Sequence, residues 1–211
     1  MGCLGCGCLA VIVIFLGFVG LVGAGTYFLF KNIYIVSAAT PETIAPYTGT
    51  DDVYTGAQKK ITSFNDDVAA SKTSTLTLSS DEVNALIYHN VDLKKANAQA
   101  LVTLDGDQAR VQASIASNSI PFINLGVKDR YFNLDATTGI SFNPDTKDID
   151  FQFHKVQIGD ISVPATSMES LQTNFSQQFN LKLHQDPAMS KVLDAAKTIS
   201  IKDGQFVVET K

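Results

Sequence analysis

The sequence predicts an α+β protein: an N-terminal transmembrane helix followed by a curved antiparallel β-sheet with helices packed on a face. Three observations carry this. An uncharged apolar run opens the chain, alternation of apolar and polar residues recurs through its middle, and apolar sets at helical spacing flank that alternation.

The first charged side chain is Lys31, and residues 9–30 are dominated by Val, Ile, Leu, Phe and Gly. At about 1.5 Å per residue this stretch spans roughly 33 Å, enough to cross the hydrocarbon layer. Ser37-Ala38-Ala39 resembles a cleavage site. A cleaved secretory signal, however, would have a basic start and an apolar run of only about 7 to 15 residues. Residues 1–36 therefore read as an uncleaved signal-anchor, holding the chain in the cell membrane by a single pass through residues 9–30.

Tyr27, Phe28 and Tyr34 lie near one end of the span, where amphipathic rings favour the interface. Gly20 and Ala24 form a small-xxx-small pair, which allows helix–helix self-association, although Gly is in any case common in membrane helices. Lys31 alone would place the domain in the cytoplasm. Against that weak vote, Cys3, Cys6 and Cys8 precede the span and no cysteine follows it, a distribution suited to an exported domain. The C-terminal domain is accordingly expected to be extracytoplasmic. The three cysteines are open to three readings: small apolar residues at the membrane edge, acylation sites, or zinc ligands that would need a second chain for a fourth donor.

Residues 37–56, rich in Ala, Thr, Pro, Tyr and Gly without apolar period, read as an extended linker lifting the domain off the membrane. The domain is then 57–211. Ile61, Phe64 and Val68 predict a helix over 57–70, and a short strand follows at 75–78. Ser79 and Glu82 form a capping box that opens a second helix, with Val83, Leu86 and Ile87 on its apolar face. Alternation over 98–104 and 109–115 about Asp105-Gly106-Asp107 predicts a β-hairpin. Further strands are expected at 130–136, 140–142 and 149–153, separated by Thr138-Gly139 and by Asn143-Pro144-Asp145. The phase then slips to Val156 and Ile158, which predicts a bulge near His154 and Lys155. After Val163-Pro164, the set Met168, Leu171, Phe175 and Phe179 marks the longest soluble helix, and 187–196 a shorter one. A second hairpin over 198–202 and 205–209 turns at Asp203-Gly204.

All 16 basic and 21 acidic residues lie beyond residue 30, giving a net charge of −5 with no Lys/Arg cluster. Nucleic-acid binding is therefore disfavoured. His89, His154 and His184 stand in no metal spacing. Asn143, Asp145, Asp148 and Asp150 look like calcium ligands but lack the Gly and Glu of an EF-hand loop, so they read as a turn. No nucleophile elbow, P-loop or dinucleotide fingerprint occurs, and neither a catalytic residue, a cofactor nor a metal is expected.

The segment Leu76-Thr77-Leu78-Ser79-Ser80-Asp81-Glu82-Val83-Asn84-Ala85-Leu86-Ile87, the segment Ile158-Gly159-Asp160-Ile161-Ser162-Val163-Pro164 before the long helix, and the closing Asp203-Gly204 hairpin follow the anchor in order. Together they resemble the YpmS-like family of bacterial single-pass membrane proteins and, more distantly, the tubular lipid-binding (TULIP) superfamily. The family resemblance implies an extracytoplasmic domain, and the superfamily resemblance implies a lipid or other hydrophobic ligand without catalysis. The basic-poor, cysteine-bearing N-terminus departs from the family pattern.

The functional expectation is thus a membrane-anchored, non-catalytic envelope domain. In one form it holds a lipid or other hydrophobic ligand in an apolar groove, with Phe132, Phe142, Phe151, Phe153, Phe175 and Phe179 as candidate walls. In the other it is a structural or interaction protein, a scaffold for envelope partners with a filled core. An enzyme would require Asp135, Asp148, Asp150 or His154 to converge in a cleft.

Overall fold

The first helix among the described residues begins inside the segment expected to be linker. In the computed structural model, which describes residues 37–119 and 129–211, α1 spans Asp51–Ala69 and buries Ala57, Ile61 and Phe64. Asp51 and Asp52 occupy its first turn, where negative charge favours the N-terminal end of the helix dipole. The apolar period starts only at Ala57, which hides this first turn from a reading based on periodicity. The anchor at 9–30 and Cys3, Cys6 and Cys8 lie outside the described residues. Among the described residues, no helix is long and apolar enough to cross a membrane.

Residues 37–50 also depart from the linker reading, because they are seated on the domain. The Ala38 N–H donates to Tyr131 O at 2.8 Å and Tyr131 N–H donates back to Ala38 O at 2.9 Å, closing an antiparallel bridge. The Asn133 amide clasps the next residues, accepting from Glu42 N–H at 3.1 Å and donating to Thr40 O at 3.2 Å. Arg130 donates to the Ser37 hydroxyl at 2.6 Å and to the Ser37 carbonyl. Ser37 and Ile44 are buried.

After β1 (Thr75–Ser79), the predicted capping box starts α2 (Ser80–Tyr88). Glu82 N–H donates to Ser79 Oγ at 3.3 Å and Ser79 N–H donates to Glu82 Oε2 at 3.0 Å. Lys60 of α1 lies 2.7 Å from Glu82 Oε1, which ties the two helices at the cap. A short α3 (Val91–Lys95) leads into the hairpin of β2 (Gln99–Asp105) and β3 (Gln108–Ala116).

The strands expected on either side of Thr138-Gly139 are one thirteen-residue strand, β4 (Tyr131–Asn143). Gly139 sits in the middle of it, paired with Gln108 on one side and Gln152 on the other, instead of turning. β5 (Asp148–Ile158) carries the expected bulge. Thr137 pairs with Lys155 and Thr138 with Phe153, so His154 is the extra residue. A two-residue β6 (Ile161–Ser162) precedes α4 (Ala165–Gln185) and α5 (Pro187–Ala195), the latter capped by Asp186. β7 (Ala196–Lys202) and β8 (Gln205–Thr210) close the chain through a turn in which Asp203 and Gly204 both have positive φ, as a type I′ turn requires.

Among the described residues the fold is α+β with antiparallel pairing, but the strands form two sheets and not one. The larger is ordered β2-β3-β4-β5-β6, and the smaller β1-β8-β7. Alternation identifies strands without identifying their partners, and β1 pairs with β8 from the far end of the chain. β7 packs against β4, and Gly204 N–H donates to Gly106 O at 2.9 Å, joining the turns of the two hairpins. Apolar side chains of both sheets meet α1, α2, α4 and α5 in a single hydrophobic core.

Candidate functional site

Four of the six candidate ligand walls, Phe151, Phe153, Phe175 and Phe179, are packed on one another. Phe151 of β5 meets Phe175 and Phe179 of α4 edge-to-face, at centroid distances of 4.7 and 4.9 Å. Phe153 meets Phe175 at 5.3 Å and stacks on Phe151 at 6.3 Å. These separations are those of favourable aromatic pairs. Phe132 is buried in the same core, and Phe142 is half-buried at its margin. Apolar alternation on β5 and the i, i+4 spacing of α4 bring Phe151, Phe153, Phe175 and Phe179 together.

Beside this apolar stripe, α4 carries a polar one that the sequence reading did not single out. Gln172, Ser176 and Asn180 recur every fourth residue and accept from the outward N–H groups of Phe153, Phe151 and Ile149 at 3.3, 3.2 and 2.8 Å. Asn180 also donates to Ile149 O at 2.9 Å. One turn further on, His184 Nε2 lies 3.0 Å from Asp148 Oδ1. The opposite edge of the sheet is closed in the same way by α2. Asn84 donates to Val102 O at 2.7 Å and accepts from Val102 N–H at 2.8 Å, while Ser80 accepts from Leu104 N–H at 2.8 Å. Side chains thus occupy backbone groups that an incoming strand would use. The available signal was the four-residue spacing of polar residues beside an apolar helix face.

The titratable residues singled out for chemistry do not converge. Asp135 is held on the outer face of the large sheet, with its carboxylate 2.9 and 3.1 Å from Arg110 Nε and Nη2 and 3.2 Å from Lys155 Nζ. The Arg110 hydrogen bond holds its carboxyl below the usual range, more than offsetting its burial, and Lys155 adds to the effect. Asp135 pairs across from Gln157, nine positions along β5 from Asp148 and so roughly 30 Å away. Asp150 and His154 are exposed, His154 in the bulge. Among the described residues no group of three or more His, Cys, Asp or Glu could hold a metal ion.

A second aromatic group lies at the surface, where residues 37–50 reach α1 and α2. Tyr54 stacks on His89 at 4.1 Å, and Tyr88 meets Tyr47 at 5.8 Å and His89 at 5.3 Å. Lys94 Nζ sits 4.8 Å from the Tyr88 ring centre, and Asp51 lies 3.4 Å from His89. Tyr88 is 52% exposed and Val91, three residues on, 62%. Amphipathic tyrosines beside an exposed aliphatic are the composition of protein contact surfaces. Burial raises the Tyr47 hydroxyl pKa, with Asp81 adding to it.

No family model, curated protein or solved structure matches the chain.

Proposed function

We propose that the protein is a membrane-tethered, non-catalytic envelope domain that acts as a structural and interaction module. Residues 9–30 are its single-pass anchor, the C-terminal domain faces out of the cytoplasm, and the surface around Tyr88 and Val91 meets an envelope partner. The observation that carries this reading is the division of the aromatic side chains. Phe151, Phe153, Phe175 and Phe179 contact one another in the interior, whereas Tyr47, Tyr54 and Tyr88 gather at the surface. A lipid would have to part rings that already fill one another's contacts.

Native mass spectrometry of residues 37–211, incubated with phospholipid and fatty acid, tests the reading. The expected spectrum is the bare protein mass. A stoichiometric lipid adduct that survives desalting would replace the scaffold with a lipid carrier, the ligand class implied by the superfamily resemblance.

A further inference from the structure

The seating of residues 37–50 changes how far the domain can stand from a bilayer. With 37–56 as a free linker, 26 residues would separate the anchor from the domain, a mean reach of roughly 28 Å for a flexible chain. With Ser37 fixed to Arg130, Ala38 to Tyr131 and Asn133 closing over Thr40 and Glu42, only residues 31–36 separate them. Six residues reach at most about 22 Å even when fully extended. β5, whose C-terminal end lies beside Asn133 through the Gly159 N–H to Asn133 O bond of 2.8 Å, is itself roughly 35 Å long. The short tether therefore distinguishes one end of the sheet from the other.

We propose that the edge of the domain around Ser37, Tyr131 and Asp160 lies against the surface of the bilayer, with the β4–β5 turn at Asp145 pointing away. This rests on the membrane-tether reading given above. The occupant facing this edge is the headgroup layer of the membrane that holds the anchor, positioned by chain length and not by charge, since the chain's net charge is −5. The partner surface at Tyr88 is then presented at a set height, and the strap of residues 37–50, which leads from the membrane-proximal edge to Tyr47, connects the two.

The test uses the full chain with Cys3, Cys6 and Cys8 replaced by Ser, reconstituted into phosphatidylcholine vesicles that contain a headgroup-labelled acceptor lipid. A donor dye is placed at Asp160→Cys or at Asp145→Cys, exposed positions at opposite ends of β5. Energy transfer is expected to be several-fold stronger from position 160 than from 145. Ala38→Pro, which removes the N–H that bonds Tyr131 O, is expected to shrink that difference. Equal transfer from both positions, in protein that floats with the vesicles, would overturn the bilayer-facing edge and leave the tether standing. Protein that fails to float would overturn both.

Discussion

Asn84 and Asn180 do the same work on opposite edges of the larger sheet, each exchanging two hydrogen bonds with one strand residue, Val102 or Ile149. Truncating either leaves a buried N–H and a buried C=O without partners, at about 1–3 kcal/mol each. Asn84→Ala and Asn180→Ala are each expected to lower unfolding free energy by about 2–4 kcal/mol, and Ser176→Ala, with one bond, by about 1 kcal/mol, measured by urea denaturation. Asp135 makes a different demand. Its pKa is depressed in the folded state, so its stabilisation is fully present above the unfolded value of about 3.9 and is lost as pH falls through the lower folded value. Asp135→Asn should therefore cost about 1–2 kcal/mol at neutral pH, with the gap to wild type closing in denaturation curves as pH falls through the depressed folded value. Ser79 and Glu82 were legible from their spacing alone. Asn84 and Asn180 were not, because their partners are backbone groups of strands 18 and 31 residues away.

Elements whose pattern is local were legible in order: both closing helices, both tight hairpins and the bulge at His154 follow from periodicity, caps and turn residues. What failed was pairing. Thr138-Gly139 has turn composition but is held in β4 by β3 and β5 on both sides, so tertiary pairing overrides local preference. The strap was missed for a related reason. It has no apolar period, and its attachment depends on Arg130, Tyr131 and Asn133, more than ninety residues on. The α4–β5 interface is the best test of packing at this scale. Phe151→Ala or Phe175→Ala is expected to cost about 3–5 kcal/mol, read by thermal or urea unfolding. If residues 149–153 and 172–180 instead enclosed ligand space, the loss would be small and added lipid would restore it.

For the whole molecule, the chain divides into an uncharged N-terminal stretch and a charged α+β domain. Among its described residues, the domain offers an aromatic core, two sheet edges occupied by helix side chains, and an exposed tyrosine surface. This arrangement suits a rigid body that presents a surface. We propose that residues 9–30 tether this body outside the cytoplasm. Alkaline extraction of membranes from cells producing the full chain, followed by protease added to intact cells, tests it directly. The protein is expected to stay in the membrane pellet, and external protease is expected to remove the domain. Release into the alkaline supernatant, or a domain digested only after the cells are opened, would contradict it.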